Sequence, residues 1–252
     1  MKRLFVLLIP FFLFSQGVDF SEFGRVLKNY VDQNGFVDYQ GILDNEKQTI
    51  NKIAHQVAKI SPKNRPELFS SDKEKLAYWI NTYNLLIVKK IIENYPLESI
   101  KDIYLVGALV WTKGHDVGED RLSFNNIEHD IIRKEFNEPR IHFAINCASY
   151  GCPILQNDIF TAENLEEKLQ KGLVYFFNNE RYIKFVDSEK TLYLSAILDW
   201  FKEDFYNEDK DETIFKYLIE NAPNATLKKR FESIKDSYEV EYMEYDWRLN
   251  KK

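Results

Sequence analysis

From Ser71 to Tyr95 the chain carries an unbroken helical pattern, and any fold it adopts must find a place for that helix. Ser71-Asp-Lys-Glu74 is a capping-box signature, and Pro96 stops the helix because proline cannot continue it. At about 100° per residue, Leu76, Ile80, Tyr83, Ile87 and Ile91 share one side. Thr82, Lys89 and Glu93 share the other. Asn84 falls inside the apolar arc, beside Ile80 and Ile91, and Asn81 falls near its edge, between Val88 and Ile92. A primary amide that faces a core must find partners for its donors and its acceptor. Two uses stand open. Asn81 and Asn84 tie down nearby loop backbone, or one of them orients a catalytic group or donates to an oxyanion.

The flanking elements bound the fold class. Phe20, Phe23, Val26, Leu27 and Tyr30 form a helical stripe that Asn34-Gly35 breaks. Phe36–Tyr39 is a short extended piece. Leu43–Ile60 is a second helix, ended by Ser61-Pro62. Ile100–Val110 reads as extended and Trp111–Gly118 as a loop. Residues 124–136 form a helix, and 157–178 are mainly helical. Residues 182–186 and 191–194 flank Asp187-Ser-Glu-Lys190 as a hairpin. Short helices follow from Ala196 and Thr213, and Glu239–Asn250 reads as a last strand. No Pro/Gly/Ser-rich linker divides residues 17–250, so the expectation is one α+β domain with helices packed on a mixed or antiparallel sheet. Within it, residues 17–70 are an N-terminal helical extension and 71–250 the main body. A chain of 252 residues, 44% hydrophobic, can bury a substantial core.

Met1-Lys2-Arg3, the apolar run Leu4–Phe14 and then Ser15-Gln16-Gly17 have the layout of a secretory signal peptide over residues 1–16. The apolar run is too short to span a bilayer comfortably, so no stable span is expected after cleavage. Export to the periplasm or the outside follows as the expected location. The formal charge of −6 becomes −8 (−6 minus 2) without Lys2 and Arg3. No basic stripe points to nucleic acid.

The chemistry-bearing residues concentrate in two places. Arg140-Ile-His-Phe-Ala-Ile-Asn-Cys-Ala-Ser-Tyr-Gly-Cys-Pro153 holds both cysteines and one of four histidines. Ile141, Phe143 and Ile145 alternate with His142, Ala144 and Asn146, which reads as a strand running into a small-residue turn. Such a strand-to-loop junction presents a nucleophile, or else it is a buried strand and a turn stapled by a disulfide. In residues 124–136, Glu128 falls near the centre of the apolar face, and His129 at its rim. A mid-face carboxylate must be paired, hydrogen-bonded or protonated. Arg133 and Arg140 are candidate ion-pair partners. His55 reads as a surface histidine, and His115, beside glycine in a loop, also reads as exposed.

Several stretches together resemble a known family. They are Ala77–Asn84, Leu122–His129, Arg140–Pro153, Ser195–Phe205 and Tyr245–Asn250. The chain from about residue 70 to 250 is similar to the domain-of-unknown-function family numbered 547. The resemblance implies that the Glu128-His129 pair, the Asn81/Asn84 helix and the strand-loop cysteine form one site. It also implies that Cys147, rather than Cys152, is the nucleophile, with no obligatory disulfide.

One hypothesis is therefore a thiol hydrolase or transferase of the broad papain/transglutaminase type, in permuted order. Cys147 is its nucleophile, His129 or His142 its base, Glu128 the orienting group, and Asn81 or Asn84 an orienter or oxyanion donor. Its substrate would be a peptide-like or cell-envelope amide, and it needs no cofactor. Glu128 and His129, adjacent on an α-helix, would point about 100° apart, which hinders direct contact. The other hypothesis is a non-catalytic binding or scaffold module whose polar network specifies the fold. A zinc site from His129, His142, Cys147 and Cys152 has suitable ligand types, but its spacings match no standard pattern.

Overall fold

The computed structural model describes residues 17–104, 109–206 and 213–252. The proposed signal segment 1–16 lies outside them, as does part of the extended piece expected before Val110. Helix α1 is Ser21–Tyr30, α2 is Tyr39–Lys59 and α3 is Asp72–Asn94. The α3 start follows its sequence signature: the Ser71 side chain accepts from the Glu74 N–H. Over the middle of the helix, however, the polar side does not face solvent. Every residue from Leu76 to Val88 is buried, Thr82 included, because α2 packs on one flank of α3 and the helix around Glu128 on another.

After α3 come a 3₁₀ turn at Ile100–Ile103, then α4 at Leu109–Thr112. Strands β1, His115–Val117, and β2, Asp120–Leu122, pair antiparallel. Extended structure over 100–110 and a loop from Trp111 are thus replaced in part by helical turns and a small hairpin. His115 is not exposed: it packs on Phe124 at 4.5 Å between ring centroids, and burial pulls its pKa down to about 4. His55 is exposed, as expected.

The helical stretch from Phe124 to Glu135 is α-helical only at its ends. Asn126–Ile132 is π-helical, and Arg133–Glu135 is α5. The Arg133 N–H donates to the Glu128 carbonyl, five residues back. The wider turn brings successive side chains closer in direction than in an α-helix, so Glu128 and His129 reach the same cavity.

Residues 139–143 are a 3₁₀ turn, not a strand. Two hydrophobic clusters explain why. One gathers α1–α3 with Phe124, Ile127, Ile131, Ile141 and Ile145. The other gathers Phe143 with the second half of α6, Leu165–Phe177, and the elements that follow it. The turn lies between them, so both alternating sets from Ile141 to Asn146 are buried. The alternation that suggests a strand has no solvent side to report.

Strands β3, Ile183–Val186, and β4, Thr191–Leu194, form the expected hairpin, with Val186 opposite Thr191. Helices α7, Ile197–Trp200, α8, Lys202–Phe205, α9, Ile214–Glu220, and α10, Ala225–Ile234, follow. The last has no counterpart among the elements expected from sequence, although Asn224 caps it through the Leu227 N–H. Strand β5, Glu239–Tyr242, then pairs parallel to β4. This makes a mixed three-stranded sheet, and with it the α+β class. The last strand stops eight residues short of Asn250 because β4 ends at Leu194 and offers no further partner. Residues 243–250 instead cross back over the domain. Leu249 bridges to Ser149, and Lys251 to Val37.

That return pins the N-terminal helices to the cysteine loop. Gly35 has φ +77°, and a Cβ there would come within 2.9 Å of the Ile154 Cα. Gly35→Ala is therefore expected to cost about 2–4 kcal/mol, combining left-handed strain with overpacking. Urea unfolding checks this, and a loss under about 1 kcal/mol would mean that the 32–36 turn moves away freely.

Among the described residues no helix is long and apolar enough to cross a membrane.

Candidate active site

At the seam between the two clusters lies a cavity of about 150 Å³. Its walls are mostly aromatic and apolar: Tyr83, Trp111, Ile145, Ile197, Trp200, Phe201, Tyr245 and Trp247. Glu128, His129, His142, Cys147 and Cys152 also line it. All of these come from helices, turns and loops, and no sheet strand contributes. The space suits one side chain or a small acyl group, well below the volume of a drug-sized ligand.

Cys147 sits at a corner. Asn146 accepts from the Ala148 N–H at 2.8 Å, and Ala148 takes a left-handed φ of +61°. That conformation is rare for residues other than glycine, and the neighbouring segments hold it. Asn250 N–H donates to the Ala148 carbonyl at 3.0 Å, and Tyr150 N–H to the Arg248 carbonyl at 2.7 Å. The Cys147 Sγ lies 2.9 Å from the Tyr245 hydroxyl and 3.5 Å from the Ser149 Oγ. Burial raises the Cys147 thiol pKa. Hydrogen bonds from Cys152, Tyr245 and Ser149 outweigh that burial and lower it overall. Cys152, deeper, is pushed up by burial and by the neighbouring Cys147 thiol, which together outweigh the Cys147 N–H and Tyr245. Both thiols are free, so there is no disulfide.

Among the described residues Glu128 has no ion-pair partner, and its hydrogen bond is from the Tyr83 hydroxyl, at 3.2 Å. Burial, and to a lesser degree the charge on Cys147, raise its pKa to about 7. The two arginines expected as partners are engaged elsewhere, Arg140 with Glu138 and Glu166 and Arg133 with Asp204.

Asp204 is a site residue that sequence reasoning missed. Its Oδ2 accepts from His142 Nε2 at 2.6 Å, and Arg133 holds both of its oxygens, at 2.5 and 2.9 Å. Burial opposes ionisation, but these partners prevail and hold the Asp204 pKa at about 2. Ser195–Phe205 is among the stretches that carry the family resemblance, but Lys202-Glu-Asp-Phe205 by itself looks like an ordinary surface turn. Arg133 also donates through Nη1 to His129 Nδ1 at 2.8 Å.

This network fixes what each ring can do. His129 accepts on Nδ1, so the neutral ring carries its proton on Nε2, with no free lone pair to serve as a base. Burial and Arg133 keep it neutral. His142 donates through Nε2, which leaves the lone pair on Nδ1. Burial lowers its pKa despite Asp204. Neither ring is hydrogen-bonded to Cys147, and Glu128 is hydrogen-bonded to neither ring. The expected thiol–imidazole dyad, with Glu128 orienting it, is not the resting arrangement.

The asparagines take the backbone role. Asn84 Nδ2 donates to the Ala144 carbonyl at 3.0 Å, and its Oδ1 accepts from the Asn146 N–H at 2.9 Å. Asn81 brackets Phe160 in the same way, at 2.7 and 2.9 Å. Neither lines the cavity. Asn84 acts one step removed, by fixing the main chain that leads into Cys147.

The family model described as "Protein of unknown function, DUF547" matches residues 67–177. That span carries α3, the π-helix and the cysteine loop, but not Asp204, Trp200, Tyr245 or Trp247. No curated protein and no solved structure matches the chain.

Proposed function

With residues 67–177 a member of the DUF547 family, we propose that the cavity is the active site of a thiol-dependent hydrolase or acyltransferase acting on peptide-like amides. One observation carries this reading: the only cavity cysteine with a lowered pKa shares the space with a carboxyl held near neutrality. Glu128, ionised in part at neutral pH, takes the Cys147 proton. The thiolate adds to the acyl carbon, and the carbonyl electrons move onto oxygen. Collapse breaks the C–N bond, and Glu128 returns its proton to the departing amine. Water or a second amine then releases the thioester. His142, held by Asp204 with its lone pair on Nδ1, orients that nucleophile. The apolar walls receive the acyl side chain.

The basic-then-apolar start of the chain supports export, and with it a cell-envelope substrate. The second reading, a non-catalytic module, is favoured by one feature: Arg133, Asp204, His129 and His142 satisfy one another.

Iodoacetamide alkylation across pH separates the two. Cys147 should alkylate at about pH 6 roughly tenfold faster than a free thiol: a thiol pKa lowered to about 7 multiplies the thiolate fraction about a hundredfold, and the weaker nucleophilicity of the less basic thiolate takes back about tenfold. Tyr245→Phe should move its profile to higher pH by removing one of the hydrogen bonds to sulfur. A rate no faster than that of a free thiol would falsify the nucleophile and leave the module.

A further inference from the structure

Cys147 and Cys152 have a relation that acyl transfer does not use. The Cys147 N–H donates to the Cys152 Sγ at 3.0 Å. With an N–Cα bond of about 1.46 Å, that sulfur lies within about 4.5 Å of the Cys147 Cα. The rotamer that turns the Cys147 Sγ toward its own N–H therefore brings it to Cys152. The loop between the two cysteines is already closed by the Cys152 N–H donating to the Ser149 carbonyl at 3.1 Å. In the resting state the Cys147 Sγ is also held by Tyr245 and Ser149. Both cysteines line the cavity, which admits a molecule as small as a hydroperoxide.

We propose that Cys147 and Cys152 form a thiol-oxidation site in which a hydroperoxide converts the pair to an internal disulfide, withdrawing Cys147 from the cavity. Its consequence for catalysis rests on the nucleophile reading above; the oxidation itself does not. In the first step the Cys147 thiolate attacks one peroxide oxygen. The S–O bond forms, the O–O bond breaks, and the second oxygen leaves as hydroxide or alkoxide. In the second step the Cys152 thiol gives its proton to that base and attacks the Cys147 sulfur. The S–S bond forms, the S–O bond breaks, and the hydroxyl departs, to be protonated to water. Two thiols supply the two electrons that reduce one peroxide. The acidity difference fits the order, because the more acidic Cys147 reacts first and the buried Cys152 resolves.

The test treats the full chain with stoichiometric hydrogen peroxide and reads intact mass, peptide mapping and iodoacetamide labelling. Wild type should lose two hydrogens, map a Cys147–Cys152 link and lose Cys147 labelling, all restored by dithiothreitol. Cys152→Ser and Cys152→Ala, each checked for a cooperative thermal transition, should instead gain one oxygen at Cys147, trapped by dimedone. If wild type gains oxygen at Cys147 without losing hydrogens, links between chains, or stays unoxidised, the proposal is overturned. These readouts need no acyl substrate. A Cys147 that alkylates no faster than a free thiol yet still bridges Cys152 would remove the proposed function and leave the oxidation site standing.

Discussion

Glu128→Gln is expected to make the protein more stable at pH 8, by about 1–3 kcal/mol, and to leave it little changed at pH 4. The sign follows from the direction in which the carboxyl is perturbed. Its pKa is raised from 4.5 to about 7 in the folded state, chiefly by burial. Below the ordinary pKa the acid is protonated in both states, and its favourable contribution is fully present. As pH climbs through about 7 the folded protein must hold a charge that its cavity solvates poorly, and that contribution is lost. Each tenfold change in acidity between the folded and unfolded states corresponds to about 1.4 kcal/mol. The lower half of the range allows for relaxation and water at the cavity wall. Glutamine keeps an oxygen for the Tyr83 hydroxyl and carries no charge. Urea unfolding of both proteins at pH 4, 6 and 8 reads the effect. A variant that parallels wild type at all three values would show that Glu128 is not held near neutrality. Under the mechanism proposed above, the same substitution should abolish acyl transfer, since an amide cannot take the Cys147 proton.

The second large effect is at Asn84. Asn84→Leu should cost about 2–6 kcal/mol, because it orphans two buried main-chain groups at about 1–3 kcal/mol each. These are the Ala144 carbonyl and the Asn146 N–H. Asn146 in turn caps the left-handed corner at Ala148 and donates to the Pro153 carbonyl at 2.7 Å. Loosening it should blur the placement of the Cys147 Sγ and pull its alkylation profile toward that of a free thiol. Asn81→Leu provides the contrast. It loses an equivalent pair of bonds, but at Phe160, and its cost in stability should come with an unchanged Cys147 profile. If the two variants alter the thiol alike, the corner at Cys147 is not held through Asn84.

These cases mark how far the sequence could be read. Helix α3 was legible at both ends, because the Ser71 cap and Pro96 act through local bonds and local sterics. The hairpin over 183–194 was legible for the same reason: alternation and turn residues are properties of neighbours along the chain. The presence of a polar anomaly at Glu128 was also visible, since an acid among isoleucines breaks a pattern. What it faces was not. Its expected arginine partners are drawn away by Glu138, Glu166 and Asp204, and all three choices depend on which surfaces meet. The 139–143 segment misled for a related reason. Alternation implies a strand when one set faces water, and burial between two clusters removes that meaning.

The sequence by itself determined the helical framework, the α+β class, the gathering of both cysteines with a histidine in one short stretch, and the family resemblance. Tertiary structure alone decided the π-turn that aims Glu128 and His129 into one cavity. It also decided the asparagine ties behind Cys147, the Asp204 link between His142 and Arg133, and the return of Tyr245 to the thiol. The last three join residues dozens of positions apart, through hydrogen bonds and packing whose partners are chosen only when the two clusters close on each other. Local propensity fixes where a chain turns; which proton a buried group keeps is set by what finally surrounds it.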